Sequence, residues 1–505
     1  MVDRGPPMTV RLPGPLLWGP RSGVVAAHPL AVTAGLEVLG AGGNAVDASV
    51  AAAVALAVVV PDACGLGGDA LLLVDRPGAP PVAYVGGAAL PADPIVPFTT
   101  YGPASAGVPG AVAAWCAVHA DHGRLPLADV LAPAAELAAG GFPVSGGLVA
   151  ALRRRGEQLR AACPEWPALE ATAGSMLRQP ELAGTLEAIR EAGPAGFYAG
   201  PVATAIADAV RAPSGEGISV EDLAAYAVVA TEPVAGTYGR ARLAVTGPPS
   251  QAALAVLALG ALEGAPPPGT VAGEHAAIEA LKEAFEHRPA LAASGDVDAL
   301  LGVALPPAGP RASALRGPTG ADHTAAVTAA DADGLVVSML VSVFHEFGSR
   351  VLVRDGGFLL NNRLSGLLVD GRSPATAPPA PWRPGHTLSP MLLELDGRRM
   401  AVSTPGADGQ VQILVQLTRA LVDAGLDLPQ ALHAPRWRSA QGRLYAERSF
   451  DPDVLAGLAA LGHDIVTTAD GDMLLGAAAV SGVSSADGTV LCAADPRREV
   501  WAAVR

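Results

Sequence analysis

The chain has 505 residues, enough for two or three average domains or for one large layered domain with insertions. Its net charge of −15 argues against nucleic acid and anionic membrane surfaces as partners. Four cysteines (Cys64, Cys116, Cys163, Cys492) show no Cys-x-x-Cys spacing and read as buried or free thiols of a reducing compartment.

Met1 to Gly23 scatters Arg4, Arg11 and Arg21 among prolines and holds no sustained apolar core. No signal peptide is read there, and a cytoplasmic protein is expected. Leu30 to Leu39 looks helical and ends at Gly42-Gly43. Asn44 is placed to cap a second helix from Ala45 to about Val59, which Pro61 closes. The most apolar run, Ala48 to Val60, is too short to span a bilayer, and its alanines suit close packing in a core. Ala70 to Val74 and Val82 to Val85 read as strands around an Arg-Pro-Gly turn. From about Pro126 to Arg288 the pattern is mainly helical, interrupted by a strand at Leu243 to Thr246. Residues 288–322 are rich in Pro, Gly and Ala with little periodicity, and read as an exposed linker.

Thr324 to Asp331 then reads as a strand, Ala332-Asp333-Gly334 as its turn, and Leu335 to Val343 as the return strand. A threonine opening a buried strand directly after a linker suits an N-terminal nucleophile. Cutting the His323–Thr324 bond would give Thr324 a free α-amine beside its own hydroxyl. An α-amine has a reference pKa of about 7.7–8.0 and serves as a general base near neutrality. Taken alone the residue carries little weight, because Thr is an ordinary strand former. Further strands are expected at Arg350–Val353, Gly357–Leu360, Met391–Leu395 and Met400–Ser403, and helices at about Gln410–Ala424 and at Pro452–Leu461. Val490–Cys492 and Trp501–Val504 read as edge strands. Two helical blocks alternating with two strand-rich blocks point to an α/β fold whose sheets are covered by helices on both outer faces.

Several short motifs recur in a fixed order: His28-Pro-Leu-Ala, Gly42-Gly-Asn-Ala-Val-Asp-Ala48, Gly65-Leu-Gly-Gly68, Val108-Pro-Gly-Ala-Val112, Phe347-Gly-Ser, Leu360-Asn-Asn362, Leu388-Ser-Pro390 and Ala434-Pro-Arg436. In these the chain resembles the γ-glutamyltransferases, autoprocessing N-terminal-nucleophile hydrolases, over about residues 22 to 500. In that family a Thr stands seven residues before the first Asp of an Asp-x-Asp-Gly turn, and counting back from Asp331 lands on Thr324. The resemblance implies an αββα four-layer sandwich, self-cleavage between His323 and Thr324, and large (1–323) and small (324–505) subunits that complete one fold. It leaves open a dimer of such pairs. Ser342 stands where the family has a Thr that hydrogen-bonds the free amine, and keeps the hydroxyl; the alternative is a plain strand serine. Gly406-Ala407 matches the Gly-Gly turn whose N–H groups form the oxyanion hole.

The acyl-recognition positions depart from the family pattern. No Arg lies between Arg76 and Arg124, where the family places the partner of a glutamyl α-carboxylate. Phe344 replaces an Asn, Arg363 a Gln, and Gly366 the Asp that receives the substrate ammonium; His386-Thr387 replace paired serines. Arg363 offers a fork for a carboxylate or other anion, or else makes a structural ion pair. These changes look like a branch of acylases acting on small-molecule amide or acyl substrates. The histidines show no metal spacing, and no cofactor is proposed: Gly65-Leu-Gly-Gly-Asp-Ala70 mimics a dinucleotide fingerprint, but a strand follows it where a helix is needed. Two other readings stay open, a carbon–carbon bond hydrolase on the same scaffold and an unprocessed binding protein.

Overall fold

The computed structural model describes residues 16–317, 324–369 and 382–505. In chain order, β1 (Leu17–Gly19), β2 (Ser22–Ala26), β3 (Asp69–Asp75), β4 (Val82–Gly86), β5 (Val229–Thr231), β6 (Val234–Tyr238), β7 (Ala241–Val245), β8 (Ala325–Asp331), β9 (Val336–Ser342), β10 (Met391–Leu395), β11 (Arg398–Ser403), β12 (Ala479–Ser484), β13 (Val490–Ala494) and β14 (Trp501–Val504) build two sheets. One sheet has the order β14-β2-β8-β9-β3-β4-β5; the other has β1-β13-β12-β11-β10-β7-β6. Every neighbouring pair is antiparallel. Both sheets mix strands from before residue 318 with strands from after residue 323.

The layers follow from which side chains are apolar on both faces. Between the sheets Leu71, Leu73, Ala326, Val336, Leu340, Ala401 and Val483 make a thin core. On the outer face of the first sheet pack α1 (Pro29–Gly40), α2 (Ala45–Val59) and α3 (Ala111–His122). On the outer face of the second lie α4 (Ala253–Ala261), α5 (Val271–Glu286) and α6 (Gly409–Val422). The result is the αββα sandwich of the N-terminal-nucleophile hydrolases. All of α2 is buried, which its Ala and Val permit, and Asn44 starts it with a capping box to Asp47. The turn after β8 is tied to that start, because Asp331 Oδ2 accepts the Ala45 N–H at 2.9 Å and Oδ1 the Leu335 N–H at 3.1 Å.

The structure corrects some expectations. Residues 288–301 are not linker but two short helices, Arg288–Ser294 and Val297–Leu301, the second capped by Asp296. β13 is not an edge strand, because β1 pairs along its outer side. β2 and β12 were not foreseen. All four cysteines are free and buried. No described helix is long and apolar enough to cross a membrane.

Candidate active site

Strand register places the first residues of the site. β8 and β9 pair Ala325 with Val341, and β9 and β3 pair Ser342 with Asp69. One rung past Ala325–Val341, Thr324 stands opposite Ser342. Thr324, Ser342 and Asp69 therefore form one row across three adjacent strands, about 10 Å from end to end at two strand spacings. Residues four apart on a strand share a face, and four residues along this row stand Thr328 and Ser338. These reach the other sheet, Thr328 to Ser481 and Ser338 to Ser403, each at 2.9 Å between hydroxyl oxygens. The row accordingly points between the sheets, at their end.

The Ser338–Ser403 contact also registers the opposite wall. Four residues beyond Ser403 comes Ala407, in a turn that leads into α6. Gly406 has φ +137°, a conformation that an L side chain rarely adopts, and Ala407 has φ +50°. The carbonyls of both accept turn hydrogen bonds, from Gly409 and Gln410. Their own N–H groups donate to no described residue. Two buried donors ahead of a helix N-terminus suit a developing oxyanion. Asp408 is held there by Arg288 Nη1 at 2.7 Å. Pro405, directly before the turn, lines the same cavity as Thr324, a space of about 460 Å³. Among the described residues its wall also includes Asp62, Arg154, Met473, Glu499 and Trp501. Burial raises the Asp62 carboxyl to about 7, the neighbouring Glu346 adding to the rise.

At the far end of the row lies a buried ionic cluster. Arg363, 1 % exposed, donates through Nε and Nη2 to Asp69 Oδ2 at 2.9 and 2.8 Å. Its Cζ stands 3.9 Å from the centre of the Phe344 ring. His386 Nδ1 accepts the Leu388 N–H, which leaves the proton on Nε2, 3.0 Å from the same Asp69 oxygen. Burial would raise the Asp69 carboxyl, but Arg363 and His386 outweigh it and hold the group at about 2. Burial, with Arg363 adding to it, lowers His386 to about 4, so the ring is neutral near pH 7. The fork expected at Arg363 is thus largely closed on Asp69, and only Nη1 lacks a partner among the described residues. Thr387 is buried beside His386, its carbonyl accepting from Ser389 Oγ at 3.0 Å. Ser342 Oγ accepts the Phe344 N–H at 2.9 Å. His323 lies outside the described residues.

The paired asparagines turn out to be braces. Asn361 Nδ2 donates to the Gly67 and Gly107 carbonyls, both at 2.9 Å, and its Oδ1 accepts from Gly107 N–H. Asn362 Oδ1 accepts the His345 N–H at 2.9 Å and its Nδ2 donates to Thr100 O at 2.9 Å. Together they lock the Gly65–Gly68 loop and the 344–350 turn around the row. In that turn only glycine fits at 348, where a Cβ would come 2.2 Å from Leu360 O.

This architecture is shared with known proteins. The family described as Gamma-glutamyltranspeptidase matches residues 31–504. The chain belongs to that family. An oxamate amidohydrolase proenzyme of Klebsiella pneumoniae is 33 % identical, covering 94 % of this chain and 96 % of its own. A glutathione hydrolase-like proenzyme of Bacillus subtilis is 32 % identical over 95 % and 97 % of the two chains. The crystal structure of a cephalosporin acylase from Bacillus halodurans superposes with a TM-score of 0.87 at 27 % identity, covering 100 % and 99 %. As a γ-glutamyltranspeptidase-family member the protein is a hydrolase of the N-terminal-nucleophile type, standing among amidohydrolase and acylase proenzymes.

Sequence reasoning did not single out Asp69 or Asp62. Asp69 had a signal, since a carboxylate opening an otherwise apolar buried strand requires a partner; Asp62 had none. Away from the row, among the described residues, His275, Glu279 and His463 bring ligand atoms within 4.8 Å of one another and could hold a cation. Each already has a protein partner, and Lys282 Nζ stands 2.8 Å from Glu279.

Proposed function

We propose that the protein is an autoprocessing amidohydrolase whose nucleophile is Thr324, with residues 1–323 and 324–505 as its two subunits. In maturation Thr324 Oγ attacks the His323 carbonyl carbon and the C–N bond breaks to leave an ester. Water then hydrolyses the ester to the His323 carboxylate and the free Thr324 hydroxyl and amine. In turnover the neutral amine takes the proton from Oγ as it attacks the substrate amide. Gly406 and Ala407 N–H groups receive the oxyanion, and the proton passes to the departing amine. Water, or an amine acceptor, releases the acyl group. Ser342, opposite Thr324, orients the amine. The observation that carries this reading is that Thr324 shares its cavity with Pro405, the residue that leads into the Gly406–Ala407 turn.

The acyl group is taken to lie along the row toward Phe344, Arg363, His386 and Thr387. There the Arg363–Asp69 pair is close to neutral, and Arg363 Nη1 remains to donate to an acyl oxygen. A γ-glutamyl headgroup finds no partner for its ammonium at Gly366. Leaving a buried charge uncompensated costs about 3–5 kcal/mol, and about 3 kcal/mol is roughly a hundredfold in kcat/KM. Glutaryl-anilide should therefore be turned over faster than γ-glutamyl-anilide, and oxamate, the amide named for the Klebsiella relative, belongs in the same panel. Equal or faster turnover of the γ-glutamyl compound would overturn the pocket assignment.

A further inference from the structure

Between the helix Val297–Leu301 and Thr324 lie residues 302–323, and their described part, 302–317, contains no helix or strand. It is nevertheless tied down at four points. Gly309 O accepts His275 Nε2–H at 2.8 Å, and His275 Nδ1 accepts in turn from His463 Nε2–H at 2.8 Å. Ser313 N–H donates to Glu279 Oε2 at 2.9 Å, while Lys282 Nζ holds Glu279 Oε1 at 2.8 Å. Ala312 N–H donates to Leu461 O, and Gly442 N–H to Arg316 O, both at 2.8 Å. The four side chains of this network are at most 7 % exposed. Burying an ion pair and two imidazoles costs desolvation that an apolar face of α5 would avoid. Here His275 Nε2 and Glu279 Oε2 go to the backbone of the linker, and His463 and Lys282 hold those two side chains from behind.

We infer that His275, Glu279, Lys282 and His463 form a dock that holds residues 309–317 in one path, and so presents the His323–Thr324 bond for self-cleavage. These are positioning residues, and the inference rests on the reading of Thr324 as the freed nucleophile. The dock is composite: His275, Glu279 and Lys282 precede the cut, whereas Gly442, Leu461 and His463 follow it. After cleavage the same contacts keep the tail of the upstream chain bridged to the downstream one. The gain in rate follows from chain length. Undocked, 22 residues separate Leu301 from Thr324; docked at Gly317, six do. Thr324 Oγ and the His323 carbonyl are already neighbours, so docking acts on how freely the bond between them reorients. Taking that freedom to scale as about the 3/2 power of tether length, the shorter tether favours the presented geometry by about sevenfold.

Insertions test this with little risk to folding. Six Gly/Ser residues placed between Pro306 and Pro307, upstream of the dock, should leave the cleavage half-time unchanged. The same insert between Gly317 and Pro318 doubles the docked span and should slow cleavage about threefold. As a second arm, His275→Phe combined with Glu279→Met and Lys282→Met leaves only the two backbone contacts at Ala312 and Arg316, and should slow processing by up to about sevenfold while the matured enzyme keeps its kcat/KM. Equal cleavage rates for the two insertions would overturn the dock. A wild-type chain that never cleaves would instead overturn the nucleophile reading itself.

Discussion

At the scale of single residues, two titrations meet in the cavity at Thr324. If its amine is the base, kcat/KM rises with pH through an apparent value at or below about 8, because the neutral amine is the active form. Asp62, raised by burial to about 7, becomes a carboxylate within the same range. Its negative charge then favours the ammonium and holds the amine's pKa up. Asp62→Asn should therefore move the acid limb of the profile to lower pH, by up to about one unit. A limb that stays in place or moves upward contradicts the coupling. Arg363 teaches a related lesson. Its charge was legible in the sequence, but its partner Asp69 is 294 residues away and no local pattern joins them.

At the scale of elements, the turn between β11 and α6 carries the most specific expectation. Gly406 occupies φ +137°, so Gly406→Ala must rotate the peptide and turn a donor away from the oxyanion. The loss expected for one such donor is about 10²–10³ in kcat with little change in KM. Ala407→Gly, at φ +50°, should be tolerated, since glycine only relaxes the backbone there. Steady-state kinetics on both variants decide the point, and a near-normal kcat for Gly406→Ala would remove the turn from the mechanism. The β8–β9 hairpin was readable because alternation and the Asp331-x-Asp333-Gly334 turn are local signals. β12 was not, because its Ser481 and Gly482 look like loop residues until Thr328 and Met400 are packed against them. The paired asparagines were recognised as a motif, whereas their bracing role needs Gly67 and Gly107, far away in the chain.

At the scale of the whole molecule, the sheets would hold a cut chain together. β8, β9 and β14 are interleaved with β2, β3 and β4, so neither part buries its apolar face alone. After cleavage the two parts should elute together as one native species and unfold in one transition. Separation without denaturant would contradict the interleaving. The central claim, that Thr324 is the nucleophile released by the chain itself, is tested most directly by intact-mass and N-terminal analysis of the purified protein beside its Thr324→Ala variant. The account predicts an active wild-type protein made of residues 1–323 and 324–505, the second beginning at Thr324, and an intact, inactive variant. A wild-type protein that is active as one uncut chain, or a Thr324→Ala variant that still cleaves at that bond and turns over substrate, would contradict it.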